Sequence, residues 1–284
     1  MTETHLPHGT LYIVPTPIGN LEDITLRALR ILKEADLIAA EDTRHTRNLL
    51  NHFEISTPLI SYYREKEAER SEEILLRLQE GKNVALVSDA GTPAISDPGA
   101  VVVRQAHDLG LTVVPLPGPS ALTTAISGSG ISSSGFLFLG FLPAKVGQRR
   151  KALAALASCE YPVVLYESPH RIDAFLADAL DILGERQAFW ARELTKNFED
   201  LQSGTLSDLL AKSNEGRNRG EFVVIICPGF RDEVKGQTLE ELILWYRDNS
   251  DLSLKDASRQ LASDLGISRS QIYQQALALW NKST

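Results

Sequence analysis

The sequence predicts an α/β fold followed by an all-helical C-terminal segment. Three observations carry that prediction. Short β-branched runs alternate with helix-length amphipathic segments along most of the 284 residues. The runs are continuously apolar rather than alternating, which is how strands covered on both faces read. Beyond Gly229 the texture changes to helix alone.

The elements follow in order. TLYIVPT (10–16) reads as a strand, with a helix from about Asp23 to Lys33. DLIAAED (36–42) is a second strand, and a helix starts after Thr43. PLISYY (58–63) precedes the charged helix REKEAERSEEILLRLQEG, which Gly81 stops. NVALVSD is a strand, 97–108 a helix, LTVVPLP a strand, and SALTTAIS opens another helix. PGPSALTTAISGSGISSSG (117–135) is small and low in charge, and it predicts a hinge. GFLFLGF, YPVVLYES, QAFWARELT and EFVVIICPG continue the strands, while KNFEDLQSGT (196–205) reads as a hairpin that makes the second sheet mixed. The expected units are an N-terminal α/β domain over 1–118, a second α/β domain over 119–232, and a helical domain over 238–284. No repeat of 20–50 residues is visible.

The tail places Ala257, Leu261 and Leu265 on one helical stripe, a turn at Gly266, and Ile267, Ile272, Ala276 and Leu279 on a second, with Ser268 as N-cap. That spacing fits a helix-turn-helix and, equally, a plain helical hairpin.

Composition narrows the function. No apolar run reaches the ~18 residues of a membrane span, and MTETHLPHGT has neither the basic start nor the apolar core of an export signal. Cys159 and Cys227 form no CxxC pair. These features predict a soluble cytoplasmic protein without structural disulfide or zinc. A net charge of −8 argues against indiscriminate polyanion binding, so a nucleic-acid partner must be met by local basic clusters.

Nine of the thirteen prolines sit just beyond strand ends: Pro15, Pro17, Pro93, Pro98, Pro115, Pro117, Pro119, Pro169 and Pro228. Such turns present carbonyl oxygens without matching N–H donors, at the strand ends where open α/β sheets bind ligands. They suit a ligand with delocalised positive charge and an adenine edge better than a phosphate-rich one; ordinary turn chemistry is the alternative. GxxxxGK[ST], HExxH and GxSxG are absent, and GSG at 128–130 lacks the last glycine of a dinucleotide fingerprint.

VPTPIGNLEDITLRAL, AAEDTRHT, LVSDAGTPAISDPG, PLPGPSALTTA, GFLPAK, YESPHR, ARELTK and GEFVVII occur in this order across residues 14–226. The series closely resembles the tetrapyrrole methylase superfamily and, within it, the members that methylate small-subunit ribosomal RNA. The resemblance implies S-adenosylmethionine as methyl donor, bound in a cleft between two α/β domains. It implies as acceptor a cytidine 2′-hydroxyl in the decoding region of 16S ribosomal RNA, and it implies a homodimer. Carried over residue by residue, the donor site is Pro17, then Ser88, Asp89, Gly91, Thr92, Pro93, Ala94 and Ile95, then Ser120 and Ala121, then Tyr166, Leu194 and Pro228. Gly19-Asn20 and Gly91-Thr92-Pro93 depart from the Gly-Asp and Gly-Asp-Pro of tetrapyrrole-acting relatives, which points to a changed acceptor.

A weakly acidic ribose hydroxyl calls for a positioned base. Asp23, Glu41, Asp42 and Asp89 are candidates. Glu41, Asp42 and Asp89 are assigned to catalysis, with the AEDTRHT loop favoured because Arg44, His45 and Arg47 beside it suit ribose and its phosphate. The alternative is that Glu41 and Asp42 only cap the helix starting near Thr43. RNA contact is expected at Arg44 and Arg47, on LPAKVGQRRK (142–151) with Lys145, Arg149, Arg150 and Lys151 and no acid, and at Arg171 and Lys196. The rivals are a methylase of a small tetrapyrrole and a non-catalytic nucleic-acid-binding regulator built on the helix-turn-helix.

Overall fold

The structure, a computed structural model, describes residues 8–215, 219–229, 238–250, 252–265 and 268–280. Two five-stranded sheets stand in sequence, with a helical cluster after them.

The first sheet is wholly parallel, in the order β3-β2-β4-β1-β5: β1 Thr10–Ile13, β2 Leu37–Ala40, β3 Leu59–Ser61, β4 Val84–Val87 and β5 Thr112–Pro115. Helices α1 Leu26–Glu34, α2 Thr43–His52, α3 Glu67–Gln79 and α4 Ala100–Asp108 cover it on both faces. Successive strand residues face opposite ways. Leu37 and Ala39 therefore pack with Ile74 and Leu78 of α3 and Val102 of α4, while Ile38 and Ala40 pack with Ile31 and Leu32 of α1 and Leu50 of α2. This two-sided burial is why the strands read as unbroken apolar runs. α1 and α4, which follow the adjacent strands β1 and β4, lie on opposite faces, so a crevice opens beyond the carboxyl ends of those two strands.

β1 is shorter than TLYIVPT predicts. Val14 still donates to Leu86 O, but Pro15 has no N–H, and residues 15–20 leave the ladder to form the crevice rim. Nearly half of the hinge expected over 117–135 is a helix, α5 Ala121–Ser129. Its small residues allow close approach, and Leu122 and Ala125 are buried against Phe189, Val223 and Ile225 of the second sheet.

The second sheet has the order β6-β7-β10-β8-β9: β6 Leu137–Phe141, β7 Val163–Glu167, β8 Gln187–Arg192, β9 Asp200–Thr205 and β10 Phe222–Ile226. β6 and β7 are parallel and the other pairs antiparallel, including the expected β8–β9 hairpin. Leu153 of α6 Val146–Ala155, Phe175 of α7 Ile172–Leu183 and Leu209 of α8 Leu206–Glu215 share its other apolar layer with Leu165 and Val224.

In the tail, α9 Leu239–Asn249, α10 Leu254–Leu265 and α11 Arg269–Trp280 close a small core of Leu242, Ile243, Leu261, Ile272 and Ala276. Thr238 and Glu241 form a reciprocal capping box at the start of α9. Ser268 accepts from Gln271 N at 3.3 Å, the capping its position predicts. The expected turn at Gly266 and the first residue of the second stripe, Ile267, lie outside the described residues. The tail is thus a three-helix unit in which α9 joins the expected pair. Among the described residues no helix is long and apolar enough to cross a membrane.

Candidate functional site

A cavity of about 290 Å³ opens where the crevice of the first sheet meets the second, near the lower end of the range for small-molecule sites, roughly 300–1,000 Å³. The loops after β1 and β4 supply Ile18 and residues 89–92 and 95–97, and Ser120 and Ala121 come from the start of α5. The second sheet supplies Phe141, Tyr166 and Glu167 at the ends of β6 and β7, Ala191, Glu193 and Leu194 around the end of β8, and Glu221, Phe222 and Val223 at the beginning of β10.

The loop after β4 is fixed from several sides. Gly91, at φ +78, exchanges backbone hydrogen bonds with Thr16, and Thr92 Oγ1 donates to Pro119 O at 3.1 Å. Ala94 and Ser96 both have φ +67, a region that costs L residues. They are held there by Ala94 N donating to Pro98 O, by Gly99 N donating to Glu67 Oε1, and by Arg64 donating to Ser96 O. Gly140 of β6 makes room on the opposite wall, since a Cβ there would lie 2.6 Å from Ser96 Oγ.

Carboxylates dominate the lining: Glu41, Asp89, Asp97, Glu167, Glu193 and Glu221, against Lys196. Lys196 Nζ is taken by Glu193 at 2.7 Å and Glu221 at 3.7 Å. Buried Glu167 accepts from Ser168 N and lies 3.3 Å from Arg171. Asp89 Oδ1 accepts from the Asp42 N–H at 2.9 Å. Burial, and then the neighbouring Asp89 charge, push the Asp97 carboxyl up to about 6 from the ordinary 3.8. Burial and then Asp97 and Asp89 raise Glu41 as well. Tyr166 meets Phe138 and Phe141 edge to face, with ring centroids 5.0 and 5.6 Å away, and builds an apolar wall opposite the acids.

These features fit a compact organic cation bearing a flat heteroaromatic group. The negative set complements positive charge, and the Gly91 turn brings peptide groups to the cavity without a side chain between.

Eight of the expected donor residues line the cavity: Asp89, Gly91, Thr92, Ile95, Ser120, Ala121, Tyr166 and Leu194. Pro17, Ser88, Pro93 and Ala94 belong to the same loops but back the lining rather than form it. Pro228 is a correction. β10 runs antiparallel to β7 and β8, so its carboxyl end lies at the far edge of the sheet, and its first residues face the cavity instead.

Asp42 also differs from expectation. It is the N-cap of α2, accepting from Arg44 N at 2.8 Å and pairing with the Arg44 guanidinium at 3.1 Å. The Arg44 side-chain and backbone hydrogen bonds hold its carboxyl below the ordinary value. Glu41, not Asp42, faces the cavity.

The acids missing from 142–151 come from α7. Arg149 is only 4% exposed and binds Asp178 through Nε at 2.8 Å and a terminal nitrogen at 2.6 Å. It therefore docks α6 on α7 and has no free face for phosphate. Arg150 bridges Asp178 and Asp181. Arg171 is likewise occupied, donating to Leu142 O and Pro143 O and so fixing the β6–α6 loop. Arg44, Arg47, Lys145 and Lys151 are exposed, and Lys196 sits in the cavity wall.

Asp97, Glu193 and Glu221 were not anticipated. Asp97 lies inside the quoted SDAGTPAISDPG motif, but its environment depends on tertiary neighbours. Glu221 needed the direction of β10.

The family model described as Tetrapyrrole (Corrin/Porphyrin) Methylases matches residues 10–210. The chain is 46% identical over 272 residues to "Ribosomal RNA small subunit methyltransferase I" of Escherichia coli O157:H7, covering 95% of each chain. It is 45% identical over 282 residues to the protein of that name in Pseudomonas aeruginosa, covering 97% of this chain and 99% of the relative. Among solved structures, uroporphyrin-III C-methyl transferase from Thermus thermophilus complexed with S-adenyl homocysteine has a TM-score of 0.55 at 20% identity, over 76% of this chain and 97% of that one. Diphthine synthase has a TM-score of 0.58 at 16% identity, over 78% and 90%. These two likenesses are of fold.

Proposed function

This chain belongs to the tetrapyrrole (corrin/porphyrin) methylase family, and on that footing we propose that it transfers the methyl group of S-adenosylmethionine to the ribose 2′-hydroxyl of a cytidine in the decoding region of 16S ribosomal RNA. The observation that carries the reading is the near-full-length identity, 45–46%, to proteins named as ribosomal RNA small subunit methyltransferases. The acid-lined inter-sheet cavity supports it, because the donor is a cation with an adenosine.

Gly91, Thr92, Ser120 and Ala121 would hold the donor through backbone and small side chains, with Tyr166 along its apolar side. When bound, S-adenosylmethionine supplies an electrophilic methyl on a positively charged sulfur. That charge disappears on transfer, so Glu41, Asp89 and Asp97 favour binding of the donor more than they favour the transition state. Alignment and the exclusion of water between the two sheets then contribute to the rate enhancement.

The same acids keep phosphates out of the cavity, so the ribose enters while its backbone stays on the rim. Arg44 and Arg47 on α2, and Lys145 and Lys151 at α6, are the exposed cations placed to meet that backbone. The protein acts in the cytoplasm as a homodimer in this reading.

Transfer of labelled methyl from S-adenosylmethionine to small-subunit RNA, followed by mapping of the modified nucleotide, tests it. A single 2′-O-methylcytidine in the decoding region is expected. Label only on a tetrapyrrole, or none on RNA or on the assembled subunit, contradicts it.

A further inference from the structure

We infer that Asp97 is the group that takes the proton from the acceptor hydroxyl, a role that rests on the methyl-transfer reading above and goes beyond the acids anticipated from the sequence. The other acids have competing duties: Glu41 accepts from the Asp89 backbone N–H, and Glu221 lies 3.7 Å from Lys196. Asp42 is spent on capping α2, and Asp89 has one oxygen tied to the Asp42 N–H. Glu193 is bound to Lys196, and Glu167 to Ser168 N and Arg171. Asp97 faces the cavity and is hydrogen-bonded to Ser88.

The backbone around Asp97 supports the same conclusion. Ala94 and Ser96 hold positive φ angles that a regular turn would avoid, and the hydrogen bonds of Arg64 to Ser96 O, Gly99 N to Glu67 and Ala94 N to Pro98 O keep them there. Strain that the surroundings enforce is concentrated at functional sites, and here its result is to hold Asp97 in the cavity wall.

The charged and titratable neighbours of Asp97 are Asp89, Glu41, Glu221 and Tyr166 from four different segments, with Arg64 as the nearby cation. Its carboxyl, lifted to about 6, is a better base than an ordinary aspartate and is still mostly ionised at neutral pH. The step balances. The 2′-oxygen bonds to the methyl carbon, the carbon–sulfur electron pair stays on sulfur as a neutral thioether, and the hydroxyl proton passes to the Asp97 carboxylate, then to water as product leaves.

The test compares the full wild-type chain with Asp97→Asn, Asp97→Glu and Asp89→Asn. Single-turnover methyl transfer to small-subunit RNA is followed across pH, and S-adenosylhomocysteine binding is measured by calorimetry. Asp97→Asn is expected to slow transfer by about 10²–10⁴-fold while binding S-adenosylhomocysteine as the wild type does. The wild-type rate is expected to fall as pH drops through about 6, and that limb should vanish in Asp97→Asn. Asp97→Glu should recover part of the rate. Asp89→Asn, by removing a neighbouring negative charge, should move the limb to lower pH. An Asp97→Asn chain with the wild-type rate and limb overturns the inference and leaves the methyl-transfer reading intact. Equal loss of rate and of S-adenosylhomocysteine binding also overturns it, making Asp97 a donor-holding residue. A wild-type chain that methylates no RNA overturns the reading itself, and Asp97's role with it.

Discussion

Thr16 and Gly91 exchange two backbone hydrogen bonds of 2.9 Å, one in each direction, and so tie the loop after β1 to the loop after β4. The pairing needs Gly91 at φ +78. An alanine Cβ there would lie 3.4 Å from Ile18 Cγ2, close but within reach of a small side-chain adjustment, so most of the penalty comes from the backbone. Gly91→Ala should cost about 1–2 kcal/mol in chemical denaturation and weaken S-adenosylmethionine binding in calorimetry.

The Arg149–Asp178 pair separates folding from RNA binding. Removing one partner of a buried pair costs about 3 kcal/mol, so Arg149→Ala should lower the unfolding midpoint markedly. Its RNA affinity should keep the wild-type dependence on salt. Lys145→Ala with Lys151→Ala should behave oppositely, leaving stability unchanged while lowering the log–log salt slope by about 1.4 for contacts to single strands.

Asp178 also gives an acid-side signature. Burial opposes its charge, but hydrogen bonds from Arg150 and Arg149 outweigh that and hold its carboxyl below the ordinary 3.8. A depressed carboxyl contributes stability that is present above the unfolded value and is lost as pH falls through the folded one. Thermal unfolding of the wild type should therefore lose this contribution below about pH 3.8. The loss should be smaller in Asp178→Asn.

Asp42→Ala removes a cap and should cost about 0.5–2 kcal/mol with methyl transfer retained at a similar rate. Glu41→Gln, in the cavity wall, should instead weaken binding of cationic S-adenosylmethionine more than that of neutral S-adenosylhomocysteine. Chemical denaturation and a transfer assay check the first outcome, and paired calorimetric titrations of the two ligands check the second.

The layered fold was legible because buried parallel strands have an unmistakable composition, and VALV in β4 and FVVII in β10 read the same in sequence as in the sheets. SDAGTPAISDPG likewise announced a loop that presents backbone. What the sequence hid was direction and partnership. Pro228 looks like any other strand-end proline until β10 is found antiparallel. Arg149 and Arg150 look unpaired until α7, some thirty positions on, brings Asp178. Asp97 looks like a turn residue until Asp89 and burial act on it together. Each depends on contacts that local pattern does not encode.

A crystal structure of the chain with S-adenosylhomocysteine would show directly whether the inter-sheet cavity holds the methyl donor. The ligand is expected between the two sheets, against Gly91, Ala121 and Tyr166, with its sulfur toward Asp97. A ligand bound outside that cavity would contradict this placement.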